Sequence, residues 1–280
     1  MDTSDLAKRM KDYESVPKTK LMRRTPVAIR IDGKAFHTFT RGFSKPFDDV
    51  LINTMQDTMK YLCENIQGCV LGYTQSDEIT LILVDYKRLN SSAWFDYEVQ
   101  KMCSIAASMA TLAFNKFFES NIEKENDSFT AEWLDDDTDN PNYKNKKLED
   151  LWRVHDKALK KGAMFDARCF NIPKEEVTNL VYWRQLDATR NSIQMVGQAN
   201  FSHKELQGKS CEKIKEMLIT ENGISWEDFH PMYKHGSCCI KITTETDGVT
   251  RSSWEIDKNI PLFVGEGREY IESLIQSEEE

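Results

Sequence analysis

One feature of the sequence limits the fold more than any other: four short apolar strands alternate with two amphipathic helices in the first 172 residues. Apolar side chains recur at three- and four-residue spacing in the helical segments, whereas β-branched residues fill the strands. The order is β-α-β-β-α-β, which predicts an α+β fold, a ferredoxin-like antiparallel sheet with its helices on one face. The segments are 27–31, 48–66, 69–73, 79–84, 94–118 and 165–172.

This order brings two distant acids together. In a ferredoxin-like sheet, strand one lies antiparallel beside strand three, so its end meets the turn that joins strands two and three. Asp32 follows strand one, and Asp77 lies in that turn just before Glu78. Adjacent carboxylates repel unless a cation separates them, and Mg²⁺ prefers carboxylate, carbonyl and phosphate oxygens. We therefore predict a catalytic site with Asp32, Asp77 and Glu78, where Asp32, Asp77 and the Gly33 carbonyl hold two Mg²⁺ ions.

A turn without any ligand is the alternative for residues 74–78, because Ser and Asp favour turns by themselves. Glu78 is either a further ligand, direct or through water, or simply the first residue of strand three. Lys45 precedes a helix N-terminus, where free amides attract phosphate. The residues expected to bind the nucleotide are Lys34, Phe36, His37, Lys45, Ser76 and Lys101. A Walker-type glycine-rich loop is missing from the sequence, which argues against a P-loop ATPase.

Composition and charge exclude some classes of protein. No apolar run reaches the roughly 18 residues of a membrane helix, and residues 1–20 lack an apolar signal segment, so we predict a cytoplasmic protein without a membrane partner. Seven cysteines without a Cys-x-x-Cys pair indicate free thiols. The net charge of -9 argues against nucleic acid, but 11 of the acids fall within residues 119–150. Local basic patches bind phosphate whatever the total charge.

Two parts are predicted along the chain. Residues 1–172 form a catalytic palm domain, in which 119–150 is an acidic insertion that we expect to be a long loop or partly disordered. Residues 173–280 form a C-terminal extension packed on the palm, with helices at 173–185 and 204–220. Trp183 and Trp226 are expected to pack in a core or an interface, with base stacking as the alternative.

Six short motifs in the same order closely resemble the tRNA-His guanylyltransferase superfamily. They cover residues 30–37, 45–48, 73–78, 165–168, 182–191 and 232–236. The resemblance implies a polymerase-like palm that adds nucleotides in the 3′→5′ direction to the 5′ end of tRNA, after activation with ATP or GTP. It also implies metal ligation by Asp32, Gly33 and Asp77, and a homotetramer across whose subunits the tRNA lies. The triphosphate contacts that it implies are Lys45, Ser76 and Lys101.

The sequence departs from this family at one motif. Enzymes that add guanosine to tRNA-His carry His-Ile-Asn-Asn after Trp-Arg-Gln, whereas residues 189–192 here are Thr-Arg-Asn-Ser. That resembles the branch which fills in missing 5′ nucleotides against a template, so we predict a template-dependent 3′-5′ nucleotidyltransferase that uses nucleoside triphosphates and truncated tRNA. The residues expected to bind tRNA are Arg184, Arg190, Asn191, Lys204 and Lys209. For each of them, a plain surface charge or polar group is the alternative.

Three other functions stay open at this stage. Guanosine addition to tRNA-His predicts a strong preference for GTP and for untruncated tRNA. A nucleotide cyclase built on the same palm predicts turnover of nucleoside triphosphates without RNA. A non-catalytic RNA-binding module of ferredoxin-like fold fits worst, because the strands lack the aromatic platform on which such modules stack bases.

Overall fold

The protein is described by a computed structural model that covers residues 3–135, 141–246 and 249–277. Its centre is a six-stranded antiparallel sheet. The strands are β1 (Val27–Gly33), β2 (Cys69–Gln75), β3 (Glu78–Leu83), β4 (Phe165–Asn171), β5 (Ser237–Thr246) and β6 (Val249–Asp257). The described helices are α1 (Asp5–Ser15), α2 (Phe36–Phe39), α3 (Asp49–Asn65), α4 (Val99–Asp135), α5 (Pro141–Lys161), α6 (Val177–Asn200), α7 (His203–Leu206), α8 (Cys211–Asn222), α9 (Pro231–His235) and α10 (Glu269–Glu272).

The strand order confirms the predicted fold class. The sheet runs β4-β1-β3-β2-β5-β6, so its first four strands have the ferredoxin-like arrangement. Side chains alternate between the two faces because a strand has a period of two. Ile29 and Ile31 therefore join the core beneath α3 and α4, whereas Ala28 joins the core on the opposite face. The two C-terminal strands extend the same sheet beyond β2.

Helices α3 and α4 form the layer on the predicted face. Asp48 caps α3 by accepting a hydrogen bond from the Leu51 amide, which satisfies one free donor of the first turn. Helix α3 buries Met55, Met59 and Leu62 at helical spacing. Helix α4 adds a row four residues apart that is fully or almost fully buried: Met102, Ala106, Ala110, Phe114 and Phe118. An aromatic cluster centred on Phe114 closes this layer near the end of β1.

Helix α6 covers the other face and is longer than predicted. A 3-10 turn (Lys174–Glu176) precedes it, and the helix then runs from Val177 to Asn200. Apolar spacing continues through Ala188 and Val196, well beyond the predicted end at 185. The helix predicted at 204–220 is divided into α7 and α8, because Gly208 adopts a φ of 73° and Ser210 caps a new helix. A 3-10 turn without a side-chain cap follows at Trp226–Asp228.

The expectation of a loop at 119–150 is wrong for the described residues. Helix α4 continues to Asp135, and α5 starts at Pro141; residues 136–140 lie outside the described part. Acidic composition suggested a solvated segment, but Ile122 in α4 is buried, as are His155 and Ala158 where α5 continues beyond residue 150. Their apolar spacing, which the surrounding charges obscure, makes this segment a helical pair on the palm. None of the described helices combines the length and apolarity needed to cross a membrane.

Candidate active site

Asp32 and Asp77 meet at one edge of the sheet, as their positions in the chain predict. Asp32 faces Glu78 in the β1–β3 ladder, and the amide of Gly33 donates to the carbonyl of Asp77 at 3.1 Å. Ser76 turns the chain between β2 and β3 with a φ of 50°. The predicted proximity of the two acids is confirmed, whereas their role as metal ligands stays a prediction.

The electrostatics at Asp77 suit a cation. Burial raises the pKa of the Asp77 carboxyl, and the negative charges of Asp32 and Glu78 raise it further. A hydrogen bond from the Ser76 hydroxyl, 3.0 Å long, acts in the opposite direction. A divalent ion at these oxygens would remove the repulsion, because it favours the charged form of both carboxylates.

The donor set fits Mg²⁺ better than a softer metal. Among the residues that the structure describes, no three His, Cys, Asp or Glu side chains assemble into a metal cluster. Two carboxylates and a backbone carbonyl, completed by water and phosphate oxygens, match the preference of Mg²⁺. Packing requires the glycine at position 33, since a Cβ there would lie 2.3 Å from a ring carbon of Phe36.

Glu78 is not free to act as a ligand in the way that Asp32 and Asp77 are. One of its oxygens accepts a hydrogen bond from Arg30 at 2.9 Å, and the other accepts one from Arg184 at 2.7 Å. Arg184 also donates to Asp187 at 2.8 Å and is only 6% exposed. The expectation that Arg184 contacts tRNA is therefore wrong, because its buried guanidinium is already paired with two carboxylates and stabilises the fold.

A cleft of about 650 Å³ opens beside the two acids. Its walls include four of the residues predicted to bind nucleotide, namely Phe36, His37, Lys45 and Ser76, together with Gly33 and Asp77. A smaller and more apolar cavity shares Ser76 with the cleft and brings Asn191 of α6 to its wall. Lys34 is exposed just after β1 but does not line either space. The residues that line the cleft agree with a triphosphate site, which stays a prediction.

Two predicted nucleotide contacts are not supported by their positions: Phe36 lines the cleft but is almost fully buried, and Lys101 lies away from it. The ring of Phe36 packs against Phe114 and Phe165 inside the core, so it offers no face to a base. Lys101 lies near the start of α4, whereas Thr111 of the same helix bonds Phe165 opposite Gly33. The ten residues between Lys101 and Thr111 span about 15 Å of helix, so Lys101 lies at the far end of the sheet.

The structure also adds residues that the sequence did not suggest. Arg41 supplies a cation to the cleft, and Met195 and Gln198 reach its wall from α6. Asp166 faces Asp32 across the β1–β4 ladder. Arg41 lies in a stretch of ordinary polar residues, so nothing in the sequence around it indicated a role in the site. Asp166 stands in a motif shared with the family, and the register of β4 would have indicated its position.

The three other cationic residues expected to contact tRNA are on the surface, whereas Asn191 is half-buried on the wall of the smaller cavity. Arg190 is exposed and pairs with Asp187, and Lys204 and Lys209 are exposed on and just after α7. Their role stays a prediction. The packing expected for Trp226 is confirmed, because it is buried and its indole donates to Ser192 at 3.0 Å. Trp183 does not pack in the core, since 52% of this residue is exposed, whereas its packing in an interface stays a prediction.

A palm-like sheet with paired acids at its edge, beside a cleft with cationic walls, defines a nucleotidyltransferase. The chain belongs to the tRNAHis guanylyltransferase (Thg1) family, whose model matches residues 7–173. The tRNA(His) guanylyltransferase of Saccharomyces cerevisiae is 25% identical over 225 residues, which cover 75% of this chain and 80% of the yeast protein.

Solved structures of related proteins extend the match to nearly the whole chain. A bacterial Thg1-like protein in complex with ATP is 38% identical with a TM-score of 0.77, and one in complex with GTP is 34% identical with a TM-score of 0.73. Each match covers 97% of this chain and 99% of the other. This protein is therefore a Thg1-family nucleotidyltransferase.

Proposed function

We propose that this protein is a template-dependent 3′-5′ nucleotidyltransferase that restores missing nucleotides at the 5′ end of truncated tRNA. The observation that carries the proposal is the convergence of Asp32 and Asp77 beside a cleft that contains Lys45 and Arg41. Paired carboxylates without a local cation suit a metal-dependent phosphoryl transfer. The cationic walls suit the triphosphate that such a reaction consumes.

Asp32, Asp77 and the carbonyl of Gly33 are the groups suited to hold two Mg²⁺ ions. When bound, Mg²⁺ supplies neutralisation of the phosphate charge and activation of an attacking hydroxyl. The chain's own residues do the positioning. Lys45 and Arg41 attract the triphosphate into the cleft, and the Ser76 hydroxyl orients the Asp77 carboxylate.

The residues that replace the His-Ile-Asn-Asn motif support the repair branch over guanosine addition. The Thr189 hydroxyl donates to the Gln185 carbonyl and lies 3.0 Å from the ring of His235. Ser192 accepts the indole hydrogen of Trp226. Two of these four positions therefore stabilise the packing of α6. The greater likeness to bacterial Thg1-like proteins points the same way.

Addition of a single guanosine to tRNA-His is the second candidate, favoured by the description of the family model and by the yeast relative. The use of ATP or GTP for activation is supported by the nucleotides in the two bacterial complexes. The homotetramer and the cytoplasmic location stay predictions.

The deciding experiment offers two RNAs in parallel with all four nucleoside triphosphates and Mg²⁺. One is a tRNA that lacks its first 5′ nucleotide, with each of the four bases opposite the gap, and the other is full-length tRNA-His. We expect addition to the truncated tRNA of the nucleotide complementary to the opposing base. Addition of guanosine alone, and to tRNA-His alone, would establish the second candidate instead. Triphosphate turnover without RNA would establish a cyclase.

The same assay tests the site through Asp77→Ala. Loss of a metal-holding carboxylate removes several kcal/mol of transition-state stabilisation, so we expect addition to fall about 10³-fold or more. The fold should persist, because Asp77 lies in a turn at the end of the sheet and carries a charge that its neighbours disfavour. Far-UV circular dichroism checks the fold. Chelation of Mg²⁺ should silence the unsubstituted enzyme equally, and normal turnover by the variant would refute the assignment.

A further inference from the structure

Trp183 is an exposed aromatic residue that two arginines hold in place. The guanidinium carbon of Arg184 lies 4.4 Å from the ring centroid, and that of Arg30 lies 5.6 Å from it. Both arginines donate to Glu78 of β3, so they approach the ring from the side of the sheet. The ring is fixed from beneath, while 52% of the residue stays open to solvent.

Two further arginines flank this ring. Arg168 of β4 faces Arg30 in the ladder, and Arg190 lies two turns beyond Trp183 on α6; both side chains are exposed. Asp166 and Asp187 pair with them but leave most of each guanidinium in solvent. A fixed aromatic face between exposed arginines is suited to a base with phosphates on either side.

The ring also lies close to the paired acids. Arg30 and Asp32 are two residues apart on β1 and point to the same face, a spacing of about 7 Å. The nucleotide cleft opens on the other side of Asp77 and is lined by residues between 33 and 48, together with Leu51, two turn residues and two of α6. Trp183 is outside that lining, so a base stacked on it would belong to a different ligand from the incoming triphosphate.

We propose that Trp183 is a stacking platform for a base of the RNA acceptor end, next to the 5′ terminus that is extended. This inference rests on the proposed function, since it takes the RNA to be the strand held at Asp32 and Asp77. Glu78, Arg30 and Arg184 act as positioning residues beneath the platform. Arg168 and Arg190 contact the flanking phosphates.

Two measurements test the platform in the full-length protein. The first is the affinity for tRNA lacking its first nucleotide, labelled in the anticodon loop and followed by fluorescence anisotropy without nucleotide. We expect Trp183→Ala to weaken binding about tenfold, as the loss of one base stack does, and Trp183→Phe to retain most of it. Trp152→Ala is the matched control, because Trp152 is 49% exposed on α5 in the opposite layer.

The second measurement separates the ligands. The KM for RNA should rise in Trp183→Ala, while the KM for nucleoside triphosphate and the slope of affinity against salt stay unchanged, since no charge is removed. The RNA should also quench indole fluorescence more in the unsubstituted protein than in Trp183→Phe. Two results for Trp183→Ala would overturn the platform. One is a rise in the KM for nucleotide instead of RNA, and the other is an altered oligomeric state with unaltered RNA affinity. If RNA binds through Trp183 and no nucleotide is added, the proposed function fails and the platform stands.

Discussion

Three carboxylates lie together at the end of β1, and their neighbours give them different tasks. Glu78 is compensated by Arg30 and Arg184, whereas Asp77 has the hydroxyl of Ser76 and the repulsion of Asp32. A buried carboxylate is tolerated where it is paired, so Glu78 is part of the scaffold. The uncompensated charge resides on Asp32 and Asp77. That division was beyond the sequence, where Asp77 and Glu78 are adjacent and alike.

The residue Lys45 tests the cleft on its own. Replacement by Ala removes a cation from the rim while leaving the core untouched, because Lys45 is exposed. A hydrogen bond to a charged group is worth about 1.5–3 kcal/mol, so we expect the KM for nucleoside triphosphate to rise roughly tenfold or more. The affinity for RNA alone should change little. Steady-state kinetics with varied triphosphate at fixed tRNA measures the effect.

Lys160→Ala is the matched control for that substitution. Lys160 is exposed on α5, where it pairs with Asp156, and it does not line the cleft. Its removal should leave both KM values as they are. An unchanged triphosphate dependence in Lys45→Ala would take Lys45 out of the binding site.

At the level of elements, helix α5, whose first half lies in the acidic insertion, helps to build the cleft. His155 of α5 is buried and lies 3.0 Å from the carboxylate of Asp48. That carboxylate also accepts hydrogen bonds from the amides of Ser44 and Leu51, so it joins the cleft loop to the start of α3. The ring of His155 packs edge-on against Phe43 at 4.7 Å. Helix α5 thus braces one wall of the nucleotide cleft.

His155→Ala should therefore weaken both the fold and the site. Leaving the buried Asp48 carboxylate without this partner costs about 1–3 kcal/mol, to which lost packing against Phe43 adds. Urea denaturation should show the lower free energy of unfolding, and kinetics should show a higher KM for triphosphate. Lys157→Ala, on the exposed side of the same helix, should change neither quantity. A destabilised His155→Ala with an unaltered KM would mean that the brace supports the core alone.

The limits of sequence reasoning also lie at this scale. The strand order was predictable, because strands and helices of the palm carry clean periodicities and the ferredoxin-like order then fixes Asp32 beside Asp77. The helical insertion was not, because charges hide the apolar spacing around His155. The position of Lys101 follows from topology alone: β3 leads away from the site, so the helix after it must begin at the far end. Motif resemblance had concealed that consequence.

At the scale of the whole molecule, the sheet crosses the boundary predicted at residue 172. Strand β5 pairs with β2, so the C-terminal part completes the palm's own sheet. The chain then returns to α6: the amide of Phe263 donates to Gln185, whose side chain in turn donates to the Pro261 carbonyl. Phe263 and Ile271 are fully buried against the face opposite α3 and α4. Both faces of one sheet therefore depend on both parts of the chain.

This continuity predicts one cooperative unfolding transition, and Phe263→Ala tests it. Truncation of a buried Phe costs about 3–5 kcal/mol, and the loss should lower the midpoint for the entire protein. Indole fluorescence and far-UV circular dichroism should report coincident transitions. The fluorescence includes buried Trp94 in the palm and buried Trp226 in the C-terminal part. Leu262→Ala is the control, since Leu262 is 49% exposed and such sites change stability by about 0.5 kcal/mol or less. If only one probe shifts in Phe263→Ala, the two parts unfold independently, and the shared sheet does not couple helix α6 to the end of β1 that carries Asp32.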